Sequence, residues 1–98
     1  MGFNASAQNY FTEAGIIASA PRSSGVYGIF NENEWIYVGE SADMETRLLE
    51  HVRGTSDQSG CISRRKPTGF LCEPCPVLTR TVRESVLIAE LSPTCNRT

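Results

Sequence analysis

The sequence predicts a small single-domain α/β (α+β) fold, with a three-stranded, mainly antiparallel sheet flanked by helices. Three observations predict it. Two β-rich runs, residues 26–30 and 35–39, are separated only by Asn31-Glu32-Asn33-Glu34, which is the length and composition of a hairpin loop. Apolar residues recur at near-helical spacing before, after and well beyond that hairpin. A chain of 98 residues buries roughly 65% of its unfolded surface, enough for one core and no second.

Residues 8–20 carry Tyr10, Phe11, Ala14, Ile17 and Ala18 on one side of an expected helix that Pro21 closes. Residues 1–22 are then an N-terminal helical extension and 23–98 the core of the domain. Ser23-Ser24-Gly25 reads as a turn into the first strand. Strand alternation puts Tyr27 and Ile29 on one face of that strand, and Trp35 and Tyr37 on one face of the second. Ser41 is the expected N-cap of the next helix, with Asp43 and Glu45 at its positive end. Met44, Leu48, Leu49 and Val52 are its apolar stripe, and it ends near Gly54. Residues 55–68 are polar and read as a loop with room for a short helix. Residues 69–72 are a third strand, limited by Pro74 and Pro76, and residues 79–91 a last helix stopped by Pro93.

The net charge of −2 hides an asymmetry. Residues 1–50 carry seven acids against Arg22 and Arg47, a balance of −5, whereas residues 51–98 carry +3. Eight of the nine basic residues are arginine, whose planar fork suits phosphate. Arg53 and the cluster Arg64-Arg65-Lys66 are therefore candidates for contact with a polyanion, in competition with an ordinary solvated loop. No apolar run approaches the roughly 20 residues that span a membrane, and no segment reads as an export signal. The four cysteines are accordingly expected to be thiols in a reducing, intracellular and cytoplasmic setting.

Some residues look wrong for structure alone. Glu84 stands three, four and seven positions before Leu87, Ile88 and Leu91, at the edge of an apolar helical face. A carboxylate there either pairs with Arg80 one turn earlier or holds a divalent cation. Arg47 and His51, four apart, project from one side of their helix. Cys72-Glu73-Pro74-Cys75 is a single C-x-x-C which, with Cys61, Cys95 or His51, gives weak support for zinc. Cys95 reads as a small core residue.

Taken together, these positions resemble a known family. Gly25-Val26-Tyr27, nine residues, then Tyr37-Val38-Gly39 resembles the two-part signature of the GIY-YIG nucleases, with Val for Ile in both halves. Arg47 follows Tyr37 by ten residues and His51 follows one turn later, as in the family's helix. Glu84-x-x-Leu87-Ile88 and Pro93-x-x-Asn96 resemble its third motif. The stretch covers about three quarters of the chain, and residues 55–76 carry none of its motifs.

The resemblance implies a GIY-YIG endonuclease-like fold and a metal-dependent endonuclease that hydrolyses DNA phosphodiester bonds. Glu84 would hold Mg²⁺ or Mn²⁺ and Arg47 would donate to a non-bridging phosphate oxygen. Tyr27 would take the proton of the attacking water, helped towards phenolate by a cation or Arg47, with the two tyrosine roles exchangeable. Tyr37 would bind the water or phosphate, His51 would relay or orient, and Asn96 would tie the chain end to the site. Gly25 and Gly39 would shape the backbone, Gly39 by letting the phosphate approach. DNA is the implied partner, met by the chain's own loops or through a separate DNA-targeting protein. The alternative is a catalytically silent module that binds DNA or protein on the same fold.

Overall fold

A computed structural model describes residues 2–3 and 9–96. The elements run β1 (Asn9–Tyr10), α1 (Glu13–Ser19), β2 (Gly25–Phe30), β3 (Trp35–Ser41), α2 (Met44–Arg53), α3 (Ser59–Arg64), β4 (Gly69–Pro74), α4 (Val77–Leu91) and a 3₁₀ turn (Thr94–Asn96). The sheet has four strands in the order β1-β4-β2-β3, and every pairing is antiparallel. β3 is thus an edge strand. The expected class holds, with one strand more than expected.

The extra strand is β1. Asn9 and Tyr10 pair with Phe70 and Gly69, so the helix expected from residue 8 starts only at Glu13, where the Thr12 hydroxyl caps the amide of Gly15. Gln8 lies outside the described residues. Likewise Asp43, not Ser41, caps α2 by accepting from the amide of Thr46. Ser41 instead braces Asp43 through its backbone. Gly54 closes α2 at φ 83°, a left-handed conformation that glycine adopts without a Cβ penalty. α4 starts two residues before the expected position, at Val77.

One face of the sheet is covered by α1, α2 and α3, with Ile16, Tyr27, Ile29, Ile36, Met44, Leu48, Ile62 and Phe70 buried between them. α4 packs on the other face, where Leu87 meets Val26 and Val38. Burying Leu87 completely is worth roughly 2–3 kcal/mol, so it sets the rotation of α4 and with it the direction of Glu84 three residues earlier. Gly25 admits that packing from the α2 side, since a Cβ there would lie 2.6 Å from the Met44 methyl.

A register shift between Ile29 and Phe30 breaks the hairpin's alternation. Ile36 therefore joins the Tyr27 face, while Trp35 turns to the other, stacking on Phe3 and meeting Phe30 edge-on. Trp35 and Tyr37 do not share a face as strand alternation alone would have it.

The cysteines also differ from expectation. Cys61 in α3 and Cys95 in the 3₁₀ turn form a disulfide across a sequence separation of 34. Closing a loop of that size is worth about 4 kcal/mol by chain entropy. Cys72 and Cys75 remain thiols, and burial pushes Cys72 up to about 12. With two sulfurs consumed, the four cysteines do not form a zinc cage. No helix among the described residues is long and apolar enough to cross a membrane.

Candidate active site

The site forms where α2 and α4 converge on the β2–β3 hairpin. Tyr27 and Tyr37, on neighbouring strands, hold their rings 6.3 Å apart. Both rings lie against His51, Tyr27 at 5.6 Å and Tyr37 edge-on at 5.3 Å. Gly39 makes this possible, because a Cβ there would strike the Tyr27 hydroxyl and ring. The room expected for a phosphate is filled by the Tyr27 phenol.

Tyr27 is 1% exposed and its hydroxyl lies 2.7 Å from Nε2 of His51. The other ring nitrogen, Nδ1, lies 2.6 Å from the Ser56 hydroxyl, which is 2.7 Å from that of Ser59. Burial drives the Tyr27 pKa far above the ordinary phenol value. Tyr37 adds to the rise and Arg47 opposes it without offsetting it. Arg47 does favour the phenolate, as expected, but burial outweighs it. His51 is pushed down to about 4 by burial and by Arg47, against Glu50, and is therefore a neutral imidazole at pH 7.

Arg47 reaches this pair from one turn earlier in α2. Its guanidinium donates to Glu50 at 2.6 Å and to Gln58 at 3.2 Å, so its direction is fixed from two sides. Its charge lies close enough to both tyrosines to lower their pKa values.

Glu84 and Asn96 arrive from the α4 side and share a task. β3 is an edge, and an unpaired edge presents backbone groups that need partners. The Asn96 side chain accepts from the Val38 amide and donates to the Val38 carbonyl, both at 2.8 Å. Two residues along, the Glu40 amide lies close enough to the Glu84 carboxylate to favour its charged form. Asn96 thus ties the 3₁₀ turn to the edge of the hairpin.

Glu84 is half-buried, and its carboxyl pKa is raised by burial and by the Glu40 carboxylate, which the Glu40 amide only partly offsets. Arg80 does not pair with it, because Arg80 reaches Glu40 at 2.9 Å and the Ser24 hydroxyl at 3.1 Å instead. Among the described residues Glu84 makes no ion pair, and no three His, Cys, Asp or Glu side chains gather as a metal cage. A lone carboxylate of raised pKa still fits a hard cation such as Mg²⁺, which binds through one or two carboxylates and keeps several waters.

The basic residues divide. Arg53 pairs with Glu13 at 3.2 Å and Arg65 with Glu34 at 2.9 Å. Arg64 and Lys66 make no ion pair among the described residues. Sequence reasoning missed Glu40, Glu50, Ser56, Gln58 and Ser59. Their only signal is that four of them crowd the polar run around the end of α2.

The fold is that of the GIY-YIG endonuclease domain. The chain is similar to the N-terminal GIY-YIG endonuclease domain of UvrC from Thermotoga maritima bound to its catalytic divalent cation, magnesium, at 21% identity. The TM-score is 0.73, over 87% of this chain and 96% of that one. It is similar also to a tyrosine-to-phenylalanine point mutant of that domain, at 21% identity and TM-score 0.73 over 88% and 96% of the two chains. An asparagine-to-alanine mutant matches at 20% identity and TM-score 0.69, over the same shares. No protein-family model matches the sequence and no curated protein matches it.

Proposed function

We propose that this protein is a metal-dependent endonuclease that hydrolyses DNA phosphodiester bonds. The observation that carries the reading is Glu84, a half-buried carboxylate that makes no ion pair among the described residues, set near two tyrosines and within the field that Arg47 also reaches. A structural carboxylate in that position would be paired. Mg²⁺ or Mn²⁺ on Glu84 would neutralise phosphoryl charge and stabilise the leaving 3′ oxygen.

The chain's own residues do the rest. Arg47, aimed by Glu50 and Gln58, donates to a non-bridging phosphate oxygen as negative charge builds there. Free phenolate is costly at Tyr27, so the proton moves in one pass. As the attacking water gives a proton to the Tyr27 oxygen, the Tyr27 proton goes to Nε2 of His51, which becomes imidazolium beside Glu50. Tyr37 orients the water. Its greater exposure supports one variation, in which Tyr37 meets the water and Tyr27 aligns it from behind. Asn96 holds β3, and therefore Tyr37, against its neighbours.

Arg64 and Lys66 supply modest, salt-sensitive attraction to the DNA backbone, with Arg53 and Arg65 available once their acidic partners are displaced. A separate DNA-targeting protein would raise affinity further. DNA as the substrate favours an intracellular setting.

Cleavage of supercoiled plasmid, a labelled branched junction and single strands, in Mg²⁺, Mn²⁺ or EDTA, tests the reading. Metal-dependent cutting by the wild type that is lost in Glu84→Ala is the expected result. Absence of cutting in every condition would favour the silent binding module.

A further inference from the structure

Beyond the tyrosines, His51 is the head of a chain of hydroxyls that the cleavage mechanism leaves unexplained. Its direction can be worked out by counting protons, starting from the far end. The backbone carbonyl of Glu50 can only accept, and the Ser59 hydroxyl donates to it at 3.4 Å. Ser59 has then spent its one proton, and its oxygen accepts from the Ser56 amide at 3.0 Å and from the Ser56 hydroxyl at 2.7 Å. Ser56 has now spent its own proton, so its oxygen must accept from Nδ1 of His51 at 2.6 Å. Nδ1 therefore carries the imidazole hydrogen. Nε2 presents a bare lone pair to the Tyr27 hydroxyl at 2.7 Å.

We infer that Ser56 and Ser59 are positioning residues that lock His51 in the Nδ1–H tautomer, so that Nε2 is held ready to receive the Tyr27 proton. The opposite polarity would make Nε2 a donor to Tyr27 and close the route, and would give up the Ser59 bond to the Glu50 carbonyl, which would keep the Thr55 amide at 2.9 Å and the Thr55 hydroxyl at 3.3 Å. Ser59 is buried and lies in α3 two residues before the disulfide-bonded Cys61, with only Gly60 between them. Ser56 is half-buried, held at its amide by Ser59. The neutral state of His51 at pH 7 agrees with this arrangement, because an imidazolium would have no lone pair to offer.

The catalytic meaning of this lock rests on the nuclease reading, whereas the lock itself is measurable without any substrate. His51 is the single histidine of the chain, so the nitrogen NMR shifts of its two ring atoms report the tautomer unambiguously. The wild type should show Nδ1 protonated and Nε2 bare at pH 7. An Nε2–H tautomer in the wild type would overturn the inference. Ser56→Ala should shift the population towards Nε2–H and lower kcat at least about tenfold with KM little changed, given how heavily a wrong histidine tautomer weighs in hydrolases. Ser56→Thr, which restores the hydroxyl, should recover both. Ser59→Ala should give the same changes at smaller size. A Ser56→Ala protein with the wild-type tautomer and kcat would overturn it equally. If no substrate is cut by any form but the tautomer responds as described, the lock stands and the nuclease reading fails.

Discussion

On the α2 side of the site, Tyr27, His51, Ser56 and Ser59 are joined by neutral hydrogen bonds of 2.6 to 2.7 Å. On the α4 side, Glu84 faces a second carboxylate, Glu40, and makes no ion pair among the described residues. The first region is satisfied without any ligand, and no buried side-chain polar atom among the described residues lacks a partner. The second is electrostatically unfinished. On the proposed function the two regions divide the labour: groups that would move a proton are fixed by packing, and groups that would meet charge are left with charge to spare.

The largest effect should come from the unfinished side. Glu84→Ala should abolish metal-dependent cleavage while circular dichroism stays that of the wild type, and undiminished cutting would remove the metal assignment. Stability should move the other way. Because the Glu84 pKa is raised in the fold, ionisation penalises folding above the ordinary value of 4.5, and the penalty fades as pH falls. Glu84→Gln should therefore melt slightly higher than the wild type at pH 7, a dead enzyme that is the more stable one.

Arg47 borders both regions. Arg47→Ala should cost about a hundredfold in kcat/KM, the scale of removing one transition-state donor, and a change within twofold would reduce Arg47 to a partner of Glu50 and Gln58. Two conservative replacements then separate the tyrosines. Tyr27→Phe strips His51 of a buried partner and should destabilise by about 1–3 kcal/mol in denaturant melts as well as impair cleavage. Tyr37→Phe should leave stability within about 0.5 kcal/mol. Equal stability losses would erase the distinction between a packed proton route and a more open face.

The last test is a titration. His51, facing Tyr27, Tyr37, Arg47, Glu50 and Ser56, should stay neutral until pH falls to about 4. An unfolded chain takes up that proton near 6.5, so stability contributed by neutral His51 is complete above 6.5 and is lost as pH falls towards 4. NMR titration of the single histidine checks this, and half-protonation near pH 6.5 would show an imidazole far less buried than described.

What the sequence disclosed was what depends on spacing. Tyr27 and Tyr37 were legible on neighbouring strands of one hairpin, and Arg47 and His51 on one helix face, because turn chemistry and the helical period impose those placements. Glu84 stood out because a carboxylate interrupted an apolar stripe. The hairpin, the α2 stripe and the sheet's antiparallel plan followed from the same periodicities. Ser56, Ser59, Gln58 and Glu40 were not legible, since polar residues around turns carry no period and their value depends on which atom they meet across space. β1 was hidden inside a helical pattern that tertiary pairing with β4 overrode. The disulfide was hidden for a related reason: a cysteine count says nothing about which two sulfurs the fold brings together.

That disulfide also has a topological meaning. It turns residues 61 to 95 into a covalent ring carrying β4 and α4. Tyr27, Tyr37, Arg47 and His51 belong to the open thread before the ring, Glu84 lies within it, and Asn96 stands one residue past its closure. A protease cut in the exposed Arg64-Arg65-Lys66 stretch would leave one molecule on a non-reducing gel and two fragments on a reducing one. After such a cut the ring bond, rather than backbone continuity, would keep Glu84 attached to the strands that carry the two tyrosines.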